Sequence, residues 1–154
     1  MRGLLETYRN AWRAAGHPGD GEVMIAFHMF CDRDGARARE IARPLIKRYM
    51  EAQLDAAAGW LQGEVSKDYR GYDKMMAAMR SVDLDSMLAS GGAWVGSPAE
   101  IRDIVERVIA ESGGFEHASM QVNFATLPFE AARRSMELFS AEVMPHFTAR
   151  RQSQ

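Results

Sequence analysis

Cysteine occurs once in the 154 residues, at Cys31. A single thiol can form no disulfide within the chain and no cysteine-based metal cluster, a usage that suits a reducing cytoplasm. Long apolar runs are also missing. The opening MRGLLETYRNAWRAAG is interrupted by Glu6, Arg9, Asn10 and Arg13, so it reads as neither a signal peptide nor a membrane span. Basic residues are scattered, and with a net charge of −2 and a pI near 6.1 the chain offers no surface for nucleic acid or an anionic membrane. Gly96-Ser97-Pro98 stands without the repeated glycines and lysine of a phosphate loop. No nucleophile–base pair or metal-ligand spacing is visible, which speaks against a complete small enzyme with its own chemistry.

What is present is the composition of one soluble domain over residues 1–154, 47% hydrophobic and 26% charged. Its eleven methionines read as adaptable core filling. Leu4, Leu5, Tyr8 and Trp12 share one face of an opening helix that ends near Gly16. After the turn cluster HPGDG, the apolar run Glu22 to Phe30 has the length of a central strand. Asp32 or Asp34 can cap the next helix, whose face is marked by Ile41, Leu45, Tyr49 and Leu54 and which Pro44 is expected to kink. Residues 64–90 form a weakly patterned helical insertion. Gly92 to Val95 gives a short strand that runs directly into a helix. There Ser97 and Glu100 have capping-box spacing, Pro98 takes the first helical position, and Ile101, Ile104, Val105, Val108 and Ile109 form a stripe. Gly113-Gly114 stops that helix. In the strand that follows, Ala118, Met120, Val122 and Phe124 alternate with Ser119, Gln121 and Asn123. Pro128 opens a last helix with Ala132, Met136, Phe139, Val143 and Phe147 on one face.

Strands alternating with helices predict an α/β protein with a parallel sheet. The half-polar last strand favours a barrel, in which one strand face meets outer helices and the other enters a lumen that is partly polar near its mouth. Ser119, Gln121 and Asn123 would face that lumen, with Asn123 nearest the rim.

Four segments carry a family likeness: YRNAWRAAGHPGD, CDRDGARAREIARPLIKRYM, VGSPAEIRDIVERVIAESG and, most specific, LPFEAARRSMELFSAEVMPHF. Together they make the chain resemble the C-terminal part of the bacterial luciferase-like, flavin-dependent monooxygenases. The resemblance implies a partial TIM (β/α)8 barrel, its last three βα units with a helical insertion, taken from a fold roughly twice this length. It implies FMN as reduced flavin, or a deazaflavin, acting with O2 on a small organic substrate in the cytoplasm. Gly96, Ser97, Gln121 and Asn123 match strand ends on the family's active face and are the cofactor-contact candidates. The family's catalytic histidine lies in the portion that has no counterpart here, so catalytic residues stay unassigned, no metal is expected, and His28, His117 and His146 are read as structural. The insertion matches the family's mobile flavin-covering segment, with Asp68, Tyr69, Arg70 and Tyr72 as its contacts; a solvated connector is the equal alternative. Three strands close no pocket unaided. The rest is expected from a second copy or a complementing N-terminal half, with a truncated gene product or excised segment as the other explanation. A non-catalytic partial-barrel binding or assembly subunit is the competing function.

Overall fold

The computed structural model describes residues 1–61 and 71–151. The candidate contacts Asp68, Tyr69 and Arg70 lie outside the described residues, as does the start of the insertion. Among the described residues no helix is long and apolar enough to cross a membrane.

Three parallel strands, β1 (Met24–Cys31), β2 (Ala93–Gly96) and β3 (His117–Gln121), form a sheet in the order β2-β1-β3. β2 pairs with the C-terminal half of β1, from His28↔Ala93 to Cys31↔Gly96, and β3 with its N-terminal half, from Met24↔His117 to His28↔Gln121. The central place expected for the first strand is therefore observed, but β2 and β3 are not neighbours, as three consecutive barrel strands would be.

Helices cover both faces, which corrects the one-sided arrangement expected from a barrel. Phe27, Met29, Cys31 and Trp94 meet α5 (Pro98–Ser112) through Ile101, Val105 and Val108, and α6 (Phe129–Glu142) through Phe139. Phe30, Ala93 and Val95 on the other face lie under α2 (Gly35–Leu61) and α4 (Leu84–Ser90), which contribute Ala38, Ala42, Ile46, Met50, Leu84 and Met87. The cause is the length of α2. At about 1.5 Å per residue, its 27 residues reach back over the C-terminal half of the sheet. The N-terminal half of that face stays open: Met24, Ala26, His117 and Ser119 are exposed.

The buried row of α2 is Ala38, Ala42, Ile46 and Met50, while the expected Ile41, Leu45 and Tyr49 sit half-buried at its flank. The alanines allow close approach to the sheet, an advantage that a count of large apolar residues misses. Asp34 caps this helix, its carboxylate accepting from the Ala36 and Arg37 amides at 2.9 and 3.3 Å. The helix runs on through Pro44, whose position faces solvent.

Other boundaries also moved. α1 (Arg2–Ala14) buries only Leu5, leaving Leu4 exposed, because polar bonds tether it: Arg2 donates to the carbonyls of Ala110 and Glu111, and Arg9 to Gly114. The insertion contains α3 (Tyr72–Met79) and α4. β3 ends at Gln121, so Phe124 leaves the alternation and joins the α2 side, while Met120 and Val122 stay with α5. The single closing helix is two, α6 and α7 (Met144–Arg151), divided at Val143 next to Pro145, which has no N–H to continue the ladder. Met136 is exposed, whereas Phe139 and Val143 are buried as expected.

Candidate functional site

Parallel α/β sheets bind ligands at the C-terminal ends of their strands, and the candidate residues divide there into two groups. Gly96 and Ser97 close β2. The Ser97 hydroxyl accepts from the Glu100 amide at 3.4 Å, and the Glu100 carboxylate accepts from the Ser97 amide at 2.7 Å, completing the capping box. Arg39 of α2 bonds the same carboxylate at 2.9 Å. The carboxyl group lies against Gly35 and Gly96, and a Cβ at either position would run into it. The Ser97 hydrogen bond, followed by Arg39, holds Glu100 below its usual value. Ser97 is thus the observed cap of α5, with the Glu100 carboxylate at the helix N-terminus.

Gln121 sits in a different setting. Register places it beside His28, on the face that also carries Ala26 and Ser119. Its Oε1 accepts from the Tyr49 hydroxyl at 3.1 Å, and that hydroxyl accepts from Gln53 Nε2 at 2.7 Å. Gln121 Nε2 makes a long contact of 3.4 Å to the Asn123 carbonyl. Asn123 itself is exposed beyond the strand end, contributing its backbone to the cluster.

His28 completes the group. Its ring stands edge-on to Tyr49 and Phe124, with centroids at 5.3 and 6.0 Å. Nε2 is buried and has no partner among the described residues. Burial pushes its pKa down, so the imidazole is neutral at physiological pH. The sequence alone gave only a histidine in an apolar strand. The signal that was available is its alternation with Ala26 and Phe30, which puts it on the half-polar side of the sheet. His117 and His146 instead pair with Glu22 and Glu106 at 3.0 and 2.6 Å, away from this cluster.

A separate cleft of about 520 Å³ opens between the β1–α2 loop and α6. Most of its charges are paired: Arg33 with Glu142 at 3.1 Å, Arg37 with Asp32 at 3.8 Å, and Glu137 with Arg133 from outside the cleft, while Arg134 also lines it. Cys31 lies at its base, where burial, then Glu142 and Asp32, push the thiol up to about 12, so it is no nucleophile near neutral pH.

The family model for luciferase-like monooxygenases matches residues 1–117. The match stops before Leu127 to Phe147, the most specific of the four resembling segments. The fold is similar to the crystal structure of the monooxygenase RslO1 from Streptomyces bottropensis, with a TM-score of 0.63 and 26% identity over 95% of this chain. The chain spans 37% of the length of that protein. No curated protein matches the sequence. With more than half of its residues matched by the family model, this chain belongs to the luciferase-like monooxygenase family.

Proposed function

We propose that the chain is the C-terminal part of a flavin-dependent monooxygenase, with β1 and β3 as adjacent strands of a (β/α)8 barrel and β2 as a short strand that the insertion adds at its rim. The observation that carries this reading is the half-open sheet face, on which Ala26, Ser119, His28 and Gln121 are brought together by the β1–β3 register. Small side chains followed by uncharged hydrogen-bonding ones suit a flat ring lying on the sheet, and the isoalloxazine of FMN or the corresponding deazaflavin is such a ring. When bound, reduced flavin supplies the activation of O2. The chain's own residues have narrower tasks. Gln121 offers an amide donor, the neutral His28 adds no charge beside it, and Phe124 with Tyr49 keeps water from that end of the face. The anion-binding and catalytic groups are then contributed by strands from a complementing N-terminal portion or a second copy, and the substrate is a small organic molecule.

Titration with FMN and with a deazaflavin, followed by fluorescence, tests the reading. Saturable binding that is weakened by Gln121→Ala is expected. Failure of both cofactors to bind, with the protein folded, would favour the non-catalytic assembly subunit.

A further inference from the structure

Tyr49, Gln53 and Gln121 form a relay that fixes the orientation of one amide. With Gln53 Nε2 donating to the Tyr49 oxygen at 2.7 Å, the single hydroxyl proton is left for Gln121 Oε1 at 3.1 Å. Turning the Gln121 amide over would place its oxygen 3.4 Å from the Asn123 carbonyl oxygen, acceptor against acceptor. Both ends of the amide therefore select the same orientation, and hydrogen bonds in such a chain strengthen one another. The amide nitrogen has two protons. One is directed at Asn123, and the other has no acceptor among the described residues.

The surroundings limit what that proton can meet. His28, Gln53 and Phe124 put no charge beside it, the Glu22–His117 pair stands at the opposite, Met24 end of the face, and desolvating an ionised ligand group without a counter-charge is costly. We infer that Gln121 Nε2 donates to a carbonyl oxygen of an uncharged ring seated over Ala26 and Ser119, and that Tyr49 and Gln53 are positioning residues that keep the amide in its donor orientation. The inference rests on the flavin-monooxygenase reading. A flavin ring and an organic substrate ring both have the required chemistry, and the experiment separates them.

The protein, labelled with 15N in its glutamine side chains, is titrated with riboflavin, coumarin and naphthalene-2-sulfonate. Movement of the Gln121 Nε2 resonances with riboflavin alone assigns the donor to the flavin, and movement with coumarin assigns it to a substrate ring. The sulfonate is expected to leave them in place. Gln121→Ala weakens binding of the responsive probe roughly three- to tenfold, the range for one neutral hydrogen bond. Tyr49→Phe keeps the ring but leaves the amide held only by the long 3.4 Å contact to Asn123, and weakens binding by a similar factor. The double variant binds no more weakly than either single one, because both remove the same interaction. A merely structural Tyr49 would lower the melting temperature without this loss. The inference is overturned if the sulfonate moves the Gln121 resonances more than the neutral probes do, if Tyr49→Phe binds like the parent, or if the two losses add. Saturable FMN binding with unmoved Gln121 resonances in every titration overturns the inference and leaves the flavin reading standing. A coumarin response without FMN binding does the reverse. No response to any probe, with no binding of FMN, overturns both.

Discussion

Glu100 joins three separate parts of the chain: its carboxylate takes the Ser97 amide, pairs with Arg39 of α2, and fits against Gly35 and Gly96. Ser97→Ala removes one half of the capping box and is expected to cost about 1 kcal/mol, read by chemical denaturation, with flavin affinity unchanged. If flavin binding falls and stability does not, the cap assignment is wrong. The same carboxylate gives a pH dependence. Its folded pKa lies below the ordinary 4.5, so its contribution is complete above that value and is lost as pH falls through the folded one. Glu100→Gln should flatten this acid limb. A denaturation series from pH 6 to about pH 3 that gives parallel curves for the two proteins would refute it. Burial of His28 acts in a higher window. Its folded pKa lies below 6.5, so the unfolded chain binds the proton more readily and stability falls as pH drops below that value. The cap was legible in the sequence because S-x-x-E after a glycine is a local signal. The Gln121 relay was not, because Tyr49 and Gln121 are 72 positions apart and only the fold brings them together.

Elements defined by local periodicity were read well, and those defined by tertiary contact were not. α5 starts at Pro98 and ends before Gly113 as its cap, stripe and glycine require, and its buried residues include Ile101, Val105 and Val108. Ile109 continues the same numerical stripe but is exposed, because the row that α5 buries runs through Ile101, Val105, Val108 and Ser112 and leaves Ile109 at its side. Ile101→Ala should therefore destabilise by about 2–5 kcal/mol, and Ile109→Ala by less than about 0.5 kcal/mol. Equal losses in urea denaturation would remove the assignment of α5 to this sheet face. β3 shows the opposite case. Its alternation was read through Phe124, but pairing stops at the His28–Gln121 pair, and farther along β1 the Cys31 amide donates to the Ser135 hydroxyl of α6 at 2.8 Å. The α2 stripe was misplaced for a similar reason: contact with Phe30 and Val95 selects the row of Ala38 and Ala42, and periodicity alone cannot rank two adjacent rows on one helix.

For the whole molecule, the decisive feature is the contrast between the two ends of one sheet face. α2 and α4 close the C-terminal end over Phe30, Ala93 and Val95, while at the N-terminal end Met24 is 69% exposed and His117 and Ser119 of β3 are exposed as well. Parallel strands are ordinarily buried on both faces, and an open edge strand invites pairing with another chain. The resemblance to a protein of which this chain spans 37% gives the open end a natural complement, since further strands beside β3 would extend the sheet and cover Met24 and Ala26 together. Burying one large apolar side chain contributes about 1.5–3 kcal/mol, so association at micromolar concentration, worth about 8 kcal/mol, needs the Met24 region together with the open β3 edge. Sedimentation velocity should accordingly show reversible self-association of the protein alone. Addition of a polypeptide carrying the family's N-terminal strands should convert it to a single one-to-one species. Met24→Lys places a charge on the open face, leaves the buried residues of both clusters untouched, and should weaken both kinds of association without lowering the melting temperature by more than a few degrees. A parent protein that sediments as one monomeric species, unfolds cooperatively and binds no hydrophobic dye would show that the sheet is complete as it stands, and would favour the self-contained module over the shared barrel.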